Sequence, residues 1–119
     1  VTETDKAVDG NRLSIVCTSS DGIRVLTARG EIDHHTVPQL RQALVDGTAA
    51  RRTVLDFRGV TFMDSSGINA LIAAHHEALG AQGWLRLAGP TENVMRVIQI
   101  VGIDTVIPCY PTLRQALHP

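Results

Sequence analysis

The sequence predicts an α/β fold with a mixed, mostly parallel β-sheet, an N-terminal antiparallel hairpin and about four helices. Three observations carry this. After residue 36, short β-rich segments alternate with segments of helical period, and such alternation implies parallel pairing through right-handed crossovers. Before residue 36, two alternating segments flank Asp21-Gly22, a hairpin turn pair. Apolar residues make up 44% of the 119 residues, yet the aromatic ones are only Phe57, Phe62, Trp84 and Tyr110. A core is therefore affordable only as Val, Ile, Leu and Ala, packed between layers.

The elements follow in order. Residues 1–10, VTETDKAVDG, are polar and aperiodic and are expected to form a flexible tail, leaving 11–119 as one domain. RLSIVCTS (12–19) and GIRVLTARG (22–30) read as the hairpin strands. In the second, Ile23, Val25 and Thr27 share one face and Leu26 and Ala28 the other. GEIDHHT (30–36) reads as a loop. TVPQLRQALVDG (36–47) reads as a helix with Thr36 as cap, Gln39 completing a capping box and Pro38 tolerated in the first turn. Its inward residues are Val37, Leu40 and Leu44, and Gly47 is the stop.

TVLDFRGV (53–60) begins with a strand, Val54 to Phe57, and the apolar stretch that follows stops at Asp64. The helix expected over 66–79 carries Ile68, Leu71, Ile72, His75 and Leu79 on its inward face. WLRLAG (84–89) reads as a strand with Trp84, Arg86 and Ala88 on one side and Leu85 and Leu87 on the other. TENVMRVIQIVG (91–102) reads as a helix with Val94, Val97, Ile98 and Val101 inward and Gly102 as stop. DTVIPCY (104–110) holds a short strand, and TLRQALHP (112–119) closes the chain as a short helix.

Composition removes several function classes. The formal net charge is −1, and the nearest approach to a basic patch is Arg51-Arg52, so direct nucleic-acid binding is not expected. No apolar run approaches membrane-spanning length and no leader pattern opens the sequence, so a cytoplasmic location without membrane attachment is expected. Cys17 and Cys109 read as two buried free thiols. His34-His35 and His75-His76 are adjacent pairs without HExxH, CxxC or an acidic loop. Neighbours on a helix diverge by about 100°, so no metal is expected, and His75 reads as a satisfied histidine at the core edge. GxSxG, GxxxxGK[ST] and GxGxxG are missing. No catalytic residue, cofactor or enzymatic activity is expected.

One group stands apart by position. Asp64-Ser65-Ser66-Gly67 lies between a strand end and a helix start. The first N–H groups of a helix lack intrahelical partners, and a serine cap would satisfy one of them. A cap accounts for one serine, not for two preceded by an aspartate. Open α/β sheets present their functional surface at the carboxyl ends of strands, and a helix start accommodates a phosphate. A structural cap and a phosphorylation switch are both compatible with this group.

The segments GEIDHHTVPQLRQAL (30–44) and VLDFRGVTFMDSSGINALIAAHH (54–76) resemble the STAS domain of bacterial anti-sigma factor antagonists. The likeness rests on a Gly-Glu-Ile-Asp loop and a Phe-Met-Asp-Ser-Ser-Gly turn about 30 residues apart, and it extends over most of 12–117. The resemblance implies a STAS fold for 11–119. It also implies a protein that binds an anti-sigma factor which is also a serine kinase, and so frees a sigma factor. The kinase would switch the antagonist off with ATP, and a phosphatase would reset it. By the same resemblance the phosphorylated serine is Ser65, with Ser66 as the alternative. The partner-binding surface would comprise Asp33, His34, His35, Met63, Asp64, Ser66, Gly67 and Asn69. By the resemblance Asp33 maps to an acidic position beside the phosphosite; read as an exposed polar residue, its replacement by alanine is expected to weaken kinase binding or phosphorylation with little loss of stability. Asn69 departs from the family, which often has glycine there. The resemblance also admits a stand-alone STAS subunit of a transport or stress-sensing complex without such a switch.

Overall fold

A computed structural model describes residues 12–45 and 52–119. The expected tail at 1–10, the Gly47 stop and Arg51 lie outside the described residues. The chain begins with a hairpin: β1 (Leu13–Ser20) pairs antiparallel with β2 (Ile23–Ile32), Ser20 opposite Ile23. Asp21 and Gly22 make the two-residue turn with φ of 52° and 80°. Both lie in the left-handed region that suits the twist of a hairpin, and the second is the glycine that adopts it without strain.

Helices and strands then alternate: α1 (Val37–Val45), β3 (Arg52–Met63), α2 (Ser65–Gly80), β4 (Trp84–Ala88), α3 (Glu92–Val101), a 3₁₀ turn (Ile103–Thr105), β5 (Cys109–Tyr110) and α4 (Leu113–Leu117). The sheet order is β1-β2-β3-β4-β5, with every pair after the first parallel. Each crossover steps one strand in the same direction. Right-handed crossovers then place α1, α2 and α3 on one face of the sheet.

The two faces bury different amounts. Beneath α1, α2 and α3 lies the main core, with Leu26, Leu55, Phe57 and Leu87 from the strands and Leu40, Ile68, Leu71, Val94 and Ile98 from the helices. On the other face α4 covers a smaller cluster of Ile23, Val54, Ala88 and Ala116, flanked by Trp84 and Tyr110. The expected alternation in β4 holds: Leu85 and Leu87 enter the main core, while the Arg86 guanidinium sits 3.5 Å from the Trp84 ring centroid on the other side. Asp56, buried in β3, accepts from Arg58 Nε at 2.9 Å and Nη2 at 2.7 Å. That pairing keeps a desolvated carboxylate from standing alone.

Several local expectations are corrected. Gly30-Glu31-Ile32 is strand, because β2 keeps pairing with β3 as far as Ile32 opposite Met63. β3 is 12 residues long, three times the four residues read as strand from sequence. The capping box of α1 does not form: Gln39 Nε2 donates to Leu13 O at 2.8 Å, while the Thr36 hydroxyl donates to Glu31 O at 2.8 Å. Ile72, Leu79 and Val101, read as inward, are 36%, 54% and 53% exposed. The stripe that α2 buries is narrower, because the small side chains Gly67 and Ala70 bring it close to the sheet. His75 is buried, but its Nδ1 has no partner among the described residues, so it is not the satisfied histidine expected.

The cysteines also differ from the expectation of two buried thiols. Cys17 is exposed on the outer strand β1, and Cys109 is half-buried. Burial, assisted by Asp104, pushes the Cys109 thiol up to about 11. Since the thiolate is the nucleophile, iodoacetamide at pH 8 should label Cys17 well before Cys109. Peptide mass mapping of a labelling time course checks this, and equal rates would contradict it.

Candidate functional site

The site is assembled where β2 and β3 end together. Ile32 pairs with Met63, and the Asp64 N–H donates to Ile32 O at 3.1 Å. The residues that follow each strand, Asp33 and Asp64, are therefore neighbours although 31 positions separate them in the chain.

Asp64 is the N-cap of α2. Its backbone is extended and its Oδ1 accepts from Ser66 N–H at 2.8 Å. Its carbonyl accepts from Gly67 N–H at 3.0 Å and Ile68 N–H at 3.3 Å. The serine cap considered from sequence is thus corrected: the aspartate supplies the cap, and Ser65 is the first helical residue. Ser65 is exposed and Ser66 half-buried. A carboxylate at a helix start is also favoured by the helix dipole, by about 0.3–1 kcal/mol.

Gly67 is buried, and a Cβ there would lie 2.8 Å from Met63 Sδ and 2.9 Å from Ile32 Cγ2. Glycine at this position is a packing requirement, since it lets the first turn of α2 lie directly on the ends of β2 and β3. Met63, 2% exposed, packs beneath it. Among the residues expected at a partner surface, Met63 and Gly67 therefore support that surface from below.

The β2–α1 turn is built around Asp33. Its Oδ1 accepts from His35 N–H at 2.9 Å and Thr36 N–H at 3.1 Å. Its Oδ2 pairs with Arg12 Nη2, and the same guanidinium donates to Glu31 Oε1 at 3.2 Å. Arg12 is held in place by its own carbonyl, which accepts from Glu31 N–H at 2.7 Å. Gly30, at φ 116°, packs against that carbonyl with no room for a side chain. The turn lifts His34 and His35 into solvent, ring centroids 4.0 Å apart. Asn69 is exposed one turn along α2 from Ser65. Among the described residues no cluster of three or more metal-ligating side chains occurs.

Two residues of this region were missed from sequence. Arg12 bears on the site only through the hairpin, which no local pattern signals. Phe62 is 48% exposed at the end of β3. Strand alternation with Met63 turns it outward, and its rarity as an aromatic in this chain was a usable signal. At the opposite edge of the sheet, a cavity of about 420 Å³ is lined by Arg24, Leu44, Thr53, Ala74, Glu77 and Leu85, among others. There Arg24 donates to Ala43 O at 3.2 Å and Leu44 O at 2.9 Å, closing the C-terminal end of α1.

A five-stranded mixed sheet bearing a capped Asp-Ser-Ser-Gly helix start beside an acidic turn is the architecture of a STAS domain, and the chain belongs to that family, whose profile matches residues 14–116. Several of its relatives are named as anti-sigma factor antagonists. The anti-sigma-B factor antagonist of Listeria monocytogenes is 31% identical over 90 residues, covering 74% of this chain and 78% of the relative. The crystal structure of an anti-sigma factor antagonist from Mycobacterium paratuberculosis superposes with a TM-score of 0.80 at 33% identity, covering 88% of this chain and 91% of the other. The anti-sigma factor antagonist SpoIIAA of Bacillus, in its unphosphorylated form, gives a TM-score of 0.73 at 27% identity, covering 87% and 93%. A phosphorylated form of SpoIIAA shares the fold, with a TM-score of 0.68 at 24% identity over 87% of this chain and 96% of the other.

Asp33 holds two backbone N–H groups and an arginine, which argues against replacement at little cost in stability. Losing a cap-like carboxylate costs about 1–2 kcal/mol. Asp33→Ala should lower urea unfolding stability by about that amount, and Asp33→Asn, which keeps the acceptor, by less. Equal stabilities for wild type and Asp33→Ala would show that the turn does not depend on this carboxylate.

Proposed function

We propose that this chain antagonises an anti-sigma factor by binding it through the β2–α1 turn and the start of α2, so that a sigma factor is freed. The anti-sigma factor is a serine kinase, and it ends the interaction by phosphorylating Ser65, with Ser66 as the alternative acceptor. A phosphatase resets the protein. The names of the relatives support the antagonist role. SpoIIAA, described in both unphosphorylated and phosphorylated forms, supports control by phosphate.

The observation that carries the choice of Ser65 is the division of labour at the helix start. Asp64 takes the capping role, so the exposed Ser65 hydroxyl is spare for chemistry. In the transfer, Ser65 Oγ attacks the γ-phosphorus of ATP. The O–P bond forms as the bond to ADP breaks, and the hydroxyl proton passes to a base of the kinase. The product adds a charge of about −1.5 to −2. The start of α2 accommodates it from the side of this chain. A docked partner must instead desolvate a dianion beside Asp64, and an uncompensated buried charge costs several kcal/mol, on the order of 3–5. Release thus needs no rearrangement of the fold. No helix among the described residues is long and apolar enough to cross a membrane.

Incubation with candidate anti-sigma kinases and ATP, followed by intact mass, is the direct test. A species heavier by one phosphoryl group should form with wild type and with Ser66→Ala, but not with Ser65→Ala. Loss in Ser66→Ala alone would move the acceptor by one residue. Ser65→Asp should bind the kinase at least about tenfold more weakly, about 1.4 kcal/mol. Its amide chemical-shift changes should be confined to residues near 31–36 and 61–70. Changes spread along α3 would replace local repulsion with a conformational switch.

A further inference from the structure

The sheet ends differently on its two sides. At one edge β5 is two residues long, and a strand that short offers little to pair with. At the other edge β1 runs for eight residues, LSIVCTSS, with neither a charge nor a proline. Among the described residues no strand lies on its outer side. Lysines, prolines and brevity are what keep exposed edges from pairing. β1 has none of them, and it exposes Val16 at 58% in its middle, with Cys17 beside it.

The backbone hydrogen bonds show which groups of β1 are spare. Glu31 N–H donates to Arg12 O at 2.7 Å, so Arg12 and Glu31 are a hydrogen-bonded pair. Such pairs recur at every second residue of an antiparallel ladder. Ser14, Val16, Thr18 and Ser20 therefore direct their backbone groups to their partners in β2, Arg29, Thr27, Val25 and Ile23. Leu13, Ile15, Cys17 and Ser19 direct theirs outward. Leu13 O is met by Gln39 Nε2 at 2.8 Å, which agrees with that direction and closes the edge at its start. The Asp21-Gly22 turn closes it at its end. The open stretch is thus Ile15, Cys17 and Ser19, and Cys17 is its midpoint.

We propose that this stretch pairs with the same stretch of a second copy of the chain, antiparallel and two-fold symmetric about Cys17, and so joins two five-stranded sheets into one. Cys17 then lies opposite Cys17 of the other copy, and Ile15 opposite Ser19 in both directions. Each of these pairs exchanges two N–H···O bonds. The contact is isologous, so every spare group of one copy meets a spare group of the other. The side chains agree. Val16 meets Thr18 of the other copy in a non-hydrogen-bonded pair, where side chains approach most closely and Cα atoms are about 4.5 Å apart. The charges agree as well. The strand carries none to repel its copy, and at both ends Asp21 of one copy falls opposite Leu13 of the other, next to Arg12. A foreign strand would need the same neutral match; a second copy has it by symmetry. One strand on one strand buries less than the ~1,200 Å² of a stable interface, so the dimer is weak and reversible. This inference does not rest on the reading of Ser65.

Sedimentation equilibrium of the full chain under reducing conditions tests the pairing. The weight-average mass should climb from one chain toward two between about 10 μM and 1 mM, the range of a weak contact. Val16→Lys places two ammonium groups on diagonal neighbours about 7–8 Å apart and should remain a single chain throughout. Thermal melts establish that the variant is folded, and Thr18→Lys replaces it if it is not. A wild-type mass that stays constant across the range overturns the proposal and leaves the edge to a different occupant. A rise in mass that a folded lysine variant does not remove places the contact elsewhere and overturns it too. Oxidation by diamide tests the register: two thiols give up two hydrogens to diamide and form one S–S bond. Facing Cys17 residues, with Cα atoms about 5.5 Å apart, are within disulfide reach. The wild-type chain and Cys109→Ser should cross-link at the same rate. Ser19→Cys in the Cys17→Ser background sets the thiols about 14 Å apart and should cross-link at least about tenfold more slowly. Equal rates would mean random encounter and would overturn the two-fold at Cys17.

Discussion

The rest of the site depends on the parallel register that sets Ile32 opposite Met63. Each of these residues ends its strand, and each is followed by an aspartate. In one case the aspartate organises a turn, and in the other it caps a helix. A parallel pair cannot be closed by a tight turn, so the register is held by the whole β2–α1–β3 unit. Two irregularities in the β2–β3 ladder, between Thr27 and Arg29 and between Gly30 and Glu31, fall just before its end. They adjust the register so that the two aspartates finish side by side.

The electrostatics of this corner are balanced within the chain. Arg12 bonds to both Glu31 and Asp33. Asp64 directs its charge into its own helix, where it is opposed by the first N–H groups. The proposed phosphate at Ser65 would join a corner where Arg12 already serves Asp33 and Glu31. Added negative charge would therefore be felt chiefly by whatever docks. The packing favours the same outcome: Gly67 seated on Met63 and Ile32 leaves the first turn of α2 no slack with which to rearrange.

The helix that carries Ser65 is also the element whose burial most departs from its apolar pattern. Glycine and alanine on its inner side draw the axis toward the sheet, and the larger aliphatic side chains at the flanks are left outside. The same close approach makes the surface beside Ser65 both firm and partly apolar, two properties that suit a protein contact.

The sequence by itself determined the element order, the hairpin, the mixed sheet and the Asp-Ser-Ser-Gly helix start, because each rests on local chemistry: Asp-Gly for the turn, period 2 or 3.6 for strand or helix, polar caps at helix starts. The two motifs that carried the family resemblance were legible for the same reason. Tertiary structure alone decided which residue does what within them. Asp64 caps where a serine was considered, Gln39 reaches Leu13 instead of its own helix, and Arg12 arrives at Asp33 from 21 positions away. Tertiary structure also decided which apolar residues face solvent, since helix periodicity places Ile72 and Leu79 near the core but cannot say how closely the helix approaches the sheet. That distance is set by Gly67 meeting Met63 and Ile32, a contact between strand ends and a helix start that exists only once β2 and β3 are paired.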